Sequence, residues 1–195
     1  MADNGLLKSG NGAARDASRR ASRTRSALIA AFNQLFLDRR RTPIRAQDVI
    51  AAAGIGRSTF YEHYAGADAL LLESMRAPLS GLADAILGRE PSDELFGLLR
   101  HFWENRRRGR EMLTGRLRSR VETLFVEIIE ERLPPTMAAL PRRLVARQIA
   151  EASLAPIRAW LIGEASCPPD ALAEGLRNAA QALAALAVAD HPARS

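Results

Sequence analysis

Residues 45–71, RAQDVIAAAGIGRSTFYEHYAGADALL, read as two short helices joined by a tight turn. Val49, Ile50 and Ala53 lie at i, i+1 and i+4 and give the first helix an apolar face. Gly54 ends it, because glycine takes the left-handed backbone of a sharp turn without a Cβ penalty. Ile55 is an apolar plug in the turn, and Gly56 stands where a helix N-cap belongs. Arg57 to Tyr64 form the second helix, on which Phe60 and Tyr64 share the inward face. Arg57, Ser58, Tyr61 and His63 are left on the outer and leading faces. A short helix with one apolar side, and arginine, hydroxyls and imidazole on the other, suits a DNA groove.

Around this unit the sequence predicts an all-α chain of about nine helices: a three-helix head followed by a helical body. Residues 1–21 are rich in Gly, Ala, Ser, Asn and Arg with no apolar period, which predicts a disordered arm. Its Arg15, Arg19 and Arg20, with Arg23 and Arg25 just beyond, make it basic and suited to phosphate contacts. The head is assigned to residues 22–66. Its first helix, from about Thr24 to Arg40, carries Leu28, Phe32, Leu35 and Phe36 as one stripe and closes on Arg39, Arg40 and Arg41. With Val49, Ile50, Ile55, Phe60 and Tyr64 these residues form the expected head core.

The body is assigned to residues 67–195. A fourth helix opens after Gly66 with Leu70, Leu71, Met75, Leu79, Leu82 and Ile86, and Pro78 inside it should kink or interrupt it. A fifth helix is expected from Asp93 to about Arg107, then a short piece at Glu111–Leu113. Arg106, Arg107, Arg108 and Arg110 read as a solvated helix end. The next helix runs from Leu117 to Leu133 and stops at Pro134–Pro135. Pro141 opens another to about Gly163, with Pro156 inside it, and Pro168–Pro169–Asp170 opens the last, to about Ala189. That last helix, ALAEGLRNAAQALAALAVA, is apolar on more than one face, so it is central in its own bundle or pressed against a second copy.

Charge separates the same two parts. Residues 1–66 hold 11 Lys and Arg against 5 Asp and Glu, and residues 67–195 hold 17 against 17, so the whole net charge of +6 belongs to the head region. A basic excess confined to one region is the footprint of a nucleic-acid surface. No run approaches the roughly 18 apolar residues of a membrane span, and the first residues lack the apolar segment of a secretory signal. Cys167 is the only cysteine, which precludes an intramolecular disulfide and points to a reducing cytoplasm. His63, His101 and His191 do not pair with cysteine or each other at metal-ligand spacing. No phosphate loop, nucleophile elbow or HExxH pattern occurs. The expectation is therefore no enzyme, no metal and no cofactor.

The stretch DVIAAAGIGRSTFYEHYAGADALL resembles the helix-turn-helix of the TetR family of bacterial transcriptional regulators. Ala53-Gly54-Ile55, Thr59-Phe60-Tyr61, His63-Tyr64 and Leu70 match that family's pattern, and the clear resemblance covers about residues 22–75. Three positions depart from it. Gly56 replaces the usual Ser, at a cost of a few tenths of a kcal/mol in capping. Arg45 stands where Thr or Ser commonly caps, although Thr42–Pro43 upstream can serve instead. Ala67 replaces a phosphate-binding Lys, which lowers the salt slope of DNA binding by about 0.9.

The resemblance implies a cytoplasmic homodimer that binds double-stranded DNA and pairs its last two long helices with those of a second subunit. It implies a repressor on a palindromic operator, released by a small-molecule effector; the alternative is a helical co-regulator whose DNA binding is weakened at Ala67. For DNA contact the candidates are Arg57, Ser58, Thr59, Tyr61 and His63, with Arg45 and Gln47 at the start of the preceding helix. Arg57 offers the fork of donors that matches guanine O6 and N7, and the hydroxyl and imidazole groups suit phosphates. The candidate effector-pocket residues are Phe96, Phe102, Trp103, Met112, Phe125 and Trp160, the large adaptable side chains of the body.

Overall fold

The apolar stripe of the first helix marks where that helix is buried, not where it begins. The computed structural model describes residues 9–37, 44–135 and 140–188, and all regular structure among them is α-helical. In chain order the helices are α1 (Ser9–Leu37), α2 (Ala46–Ala53), α3 (Arg57–His63), α4 (Ala67–Ile86), α5 (Ser92–Glu104), α6 (Arg106–Thr114), α7 (Arg118–Arg132), α8 (Arg142–Ile162) and α9 (Pro169–Val188). They divide into two units, residues 1–74 and 75–195, so the division falls inside α4. None of these helices is long and apolar enough to cross a membrane. Arg39, Arg40, Arg41, Thr42, Pro43, Ala189 and His191 lie outside the described residues, as do residues 1–8.

The disordered arm expected over residues 1–21 is corrected from Ser9 onward, where α1 already begins. Alanine and arginine dominate residues 13–23, AARDASRRASR, and both are strong helix formers. Burial of Leu28, Ala31 and Phe32 stabilises the helix further along. Extending it from there requires no new nucleation. The side chains from Arg15 to Arg23 stay exposed, so this part carries no apolar period to read.

In the first unit Leu28, Ala31 and Phe32 of α1, Val49 of α2, Phe60 of α3, Tyr64 and Leu70 form the core. Leu35, Phe36, Ile50 and Ile55 are half-buried around it. Phe32 and Phe36 stack at 5.8 Å, and Phe60 and Tyr64 lie 6.1 Å apart, between ring centroids. Burial pushes the Tyr64 phenol up from its ordinary pKa, and the adjacent Arg25 guanidinium draws it partly back.

In the second unit α8 is the central helix, packed against α6, α7 and α9. Val145, Ala146, Ile149, Ala150, Ser153, Leu154, Ile157, Trp160 and Leu161 are all buried along it. Ser153 resolves its hydroxyl by donating to the Ile149 carbonyl at 2.7 Å. The helix expected from Asp93 to Arg107 is two helices instead. Asn105 divides them with a non-helical backbone (φ −106°, ψ 24°), its backbone N–H and side-chain amide both donating to the His101 carbonyl, at 3.1 and 3.0 Å. The four arginines after it begin α6, not a solvated end: Arg106, Arg107 and Arg110 are exposed, but Arg108 is buried. Pro78 and Pro156 do not interrupt α4 or α8, which continue through them. Each proline leaves one carbonyl a turn earlier without its helical donor.

The C-terminal part of α4 is tied to α7 by an ion pair. Arg132 donates through Nε and Nη2 to the two carboxylate oxygens of Asp84, at 2.7 and 2.8 Å. Its Nη1 donates to the Ile128 carbonyl at 2.9 Å, and Arg89 donates to the carbonyl of Arg132.

Candidate nucleic-acid interface

The helix-turn-helix begins at Arg45, whose extended backbone caps α2. The Asp48 carboxylate, three residues on, accepts the Arg45 backbone N–H at 2.9 Å. That is one half of a capping box; a guanidinium has no acceptor with which to complete the other half. At the far end Gly54 adopts φ 63° and ψ 30°, the left-handed conformation, and Ile55 donates back to the Ile50 carbonyl at 3.3 Å. These bonds satisfy the last carbonyls of α2 and turn the chain sharply. Gly56 then caps α3 with extended backbone and no side-chain bond.

Helix α3 is two turns long, and its orientation is set by its aromatic residues. Phe60 is fully buried and Tyr64 nearly so. Arg57, Ser58, Tyr61 and Glu62 are exposed, whereas Thr59 and His63 are half-buried along the flanks. Tyr61 packs edge-on against Phe60 with centroids 5.2 Å apart, and the Arg57 guanidinium lies over the Tyr61 ring at 5.7 Å. A buried ring therefore supports an exposed ring, and the exposed ring holds the guanidinium. Cation–π contact of this kind contributes roughly 0.5–1 kcal/mol at exposed sites and limits the rotamers of both partners. Arg45 and Gln47 are exposed at the start of α2. Glu62, four residues after Ser58 and so above it on the same face, brings an exposed carboxylate that the sequence reading did not include.

The second unit contains a cavity of about 30 Å³ with a wholly apolar lining. Phe102 and Met112 of the expected pocket residues line it, together with Met75, Leu79 and Leu82 of α4 and Leu154, Ile157 and Leu161 of α8. Phe96, Trp103, Phe125 and Trp160 are placed elsewhere. Phe125 is fully buried, and Phe96 is half-buried beneath the Arg100 guanidinium. Trp160 stacks on Trp103 at 4.7 Å and donates its indole N–H to the Cys167 carbonyl at 3.0 Å. Gly109, also in the lining, brings α6 so close to α8 that a Cβ there would lie 2.9 Å from a Leu161 methyl. A glycine inside an arginine-rich helix was the one sequence signal for that approach.

Among the described residues no group of three or more His, Cys, Asp or Glu could hold a metal ion.

Comparison with known proteins places the architecture. No protein-family model and no curated protein matches the chain. Among solved structures it is similar to a TetR transcriptional regulator from Streptococcus agalactiae, with a TM-score of 0.51 and 22% identity over 86% of this chain and 98% of that one. It is also similar to FadR of Thermus thermophilus, a TetR-family transcriptional repressor solved in complex with lauroyl-CoA, with a TM-score of 0.51 and 23% identity over 88% and 99% of the two chains. The agreement spans nearly the full length of both proteins, head and body together. This all-helical chain has the fold of the TetR-family transcriptional regulators.

Proposed function

We propose that the chain is a sequence-specific DNA-binding transcriptional regulator that acts as a homodimer and represses until an effector binds. The observation that carries this reading is α3, a two-turn helix anchored by buried Phe60 and presenting Arg57, Ser58 and Tyr61 outward. In a major groove, Arg57 reads guanine O6 and N7, and Ser58 contacts a base edge or a phosphate. Thr59, Tyr61 and His63 bond phosphates and fix register, with Arg45 and Gln47 as supporting contacts. Residues 22–66 thus read DNA, and residues 67–195 dimerise and hold the effector.

Exposed apolar residues on α8 and α9 support a dimer through these helices. Leu144 and Ile162, 49% and 42% exposed, are eighteen residues apart on α8, five full turns and therefore on one face. On α9 the 70% exposed Leu186 shares a face with Ala182, Ala179 and Gly175, small residues that let helices approach closely. Two-fold pairing would present two α3 helices to successive major grooves about 34–36 Å apart and so match a palindromic operator. In light scattering the Leu144→Glu/Leu186→Glu variant should have half the mass of the wild type. An unchanged mass would place the interface elsewhere.

The apolar cavity supports an effector with an apolar portion, in keeping with the acyl-CoA bound by the T. thermophilus protein. The decisive experiment is fluorescence anisotropy on the duplex flanking this protein's own gene, for wild type and Arg57→Ala/Tyr61→Ala. Preference over random duplex by about 10³ or more, lost in the double variant, is the expected result. Binding that is weak and equal on every duplex would favour the co-regulator reading, in which Ala67 marks a weakened head.

A further inference from the structure

Residues 15–23 of α1 are exposed and have no role in the core, yet the stretch is strongly basic. From Arg15 to Arg25 it holds Arg15, Arg19, Arg20, Arg23 and Arg25 against Asp16 alone. At about 100° per residue, Arg15, Arg19 and Arg23 fall within an arc of about 80°, and Ser22 and Ser26 lie on the same side. The buried stripe of Leu28, Ala31, Phe32 and Leu35 is centred on the opposite side of the helix. Residues 15–23 are all exposed, as is Ser26. A helix rise of 1.5 Å per residue spreads the three arginines over about 12 Å. Along the duplex axis each strand presents a phosphate about every 3.4 Å, so a strip of that length lies beside several of them.

We propose that this half of α1 is a rigid phosphate-binding strip that engages the backbone of the duplex read by α3; the proposal rests on the DNA-binding reading above. Charge complementarity names the occupant, because the strip joins three arginines and two hydroxyls on one exposed face of a chain that already carries a groove-reading helix. Arginine suits the task, since its planar fork of donors matches phosphate geometry. A helical strip differs from a flexible arm because its arginines are pre-spaced, and less entropy is lost on binding. The strip adds affinity and salt dependence without reading sequence. It offsets the phosphate contact that Ala67 does not supply.

The test uses the full chain and a labelled 30-base-pair duplex of random sequence, with binding followed by anisotropy across a salt series. Arg15→Gln/Arg19→Gln/Arg23→Gln keeps helix propensity close to that of wild type, and circular dichroism should show the same helix content. Three lost phosphate contacts should reduce the slope of log affinity against log salt by about 2.7. A slope equal to wild type overturns the strip. Ala21→Pro keeps every arginine but breaks α1 between Arg19 and Arg23, and it should reduce the slope by about 1.8 as Arg15 and Arg19 are released. A wild-type slope for Ala21→Pro would mean a flexible arm and overturn the rigid strip. Arg57→Ala/Tyr61→Ala separates the two claims: loss of binding there with no change in the triple variant sinks the strip and leaves the α3 reading standing. If wild type binds no duplex, both readings fall. If instead the triple variant loses binding only to phosphatidylserine vesicles, the occupant is a membrane surface and the proposal is wrong.

Discussion

The ion pair between Asp84 and Arg132 can be tested alone, through charge and pH together. Replacing Asp84 by Asn keeps the size of the side chain and removes the carboxylate that accepts both Arg132 bonds, at 2.7 and 2.8 Å. The two side chains are only 26% and 16% exposed, so solvent replaces the lost bonds incompletely. Hydrogen bonds to charged groups contribute about 1.5–3 kcal/mol each where fully buried. Partial solvent screening brings the whole bidentate pair to about 2 kcal/mol. Asp84→Asn should therefore destabilise by about 1–2 kcal/mol, and a double-mutant cycle with Arg132→Leu should show coupling of at least about 1 kcal/mol. Hydrogen bonding from Arg132 holds the Asp84 pKa below its ordinary value; burial opposes this, and the charges of Arg132 and Arg89 add to the lowering. A carboxylate whose folded pKa is depressed stabilises the fold above its unfolded pKa of about 3.9. That stabilisation is lost as pH falls through the folded pKa. The gap between wild type and Asp84→Asn should thus be full at pH 7 and close as pH falls below about 4. The assay is urea unfolding followed by circular dichroism, at one protein concentration because the proposed dimerisation would couple stability to concentration. Coupling below about 0.5 kcal/mol, or a gap that persists undiminished at pH 3, would refute the argument.

Three further outcomes follow from the head. Gly54→Ala should cost roughly 1–2 kcal/mol in thermal unfolding, all of it from the left-handed backbone, since nothing lies within 4 Å of the added Cβ. Phe60→Ala should cost about 3–5 kcal/mol in chemical denaturation and abolish duplex binding, because the ring is fully buried and supports Tyr61. Glu62→Gln should strengthen binding to random duplex in anisotropy, by removing an exposed carboxylate from the α3 face above Ser58. Weaker binding only on the operator would instead show Glu62 accepting from a cytosine amino group.

The head was legible in the sequence because its signals are local. Gly54 announces a left-handed turn, and Phe60 with Tyr64 announces the buried side of α3, so the exposed side follows by subtraction. The ends of helices that depend on propensity alone were not legible. Nothing periodic marks Ser9 as the start of α1, since the sequence from 9 to 23 carries no apolar stripe. Asn105 was read through, because only its backbone and its bonds to the His101 carbonyl show that it breaks a helix. In the body, large aromatics drew attention although most of them fill space elsewhere. The cavity depends on which helix faces converge, and aliphatic residues such as Leu79 and Ile157 give no sign of that by type.

The lining of the cavity bears on how an effector could act. It is wholly apolar and so gives a water no partners. On the proposed reading an effector places its apolar part among these side chains, and a larger effector displaces them. Met75 and Met112 can yield, having flexible unbranched chains. Met75, Leu79 and Leu82 belong to α4, the helix whose earlier residue Leu70 is part of the head core. On the proposed reading, opening the cavity displaces these α4 residues, and a ligand that binds the open state better supplies the differential affinity that a switch requires. Moving the chain from 1% to 99% open takes about 5.5 kcal/mol. At about 25 cal/mol per Å² that corresponds to roughly 220 Å² of apolar surface removed from water. One aromatic ring system or a short alkyl chain supplies this area, so the apolar part of an effector is sufficient to work the switch, and its polar part is left to determine which molecule is admitted.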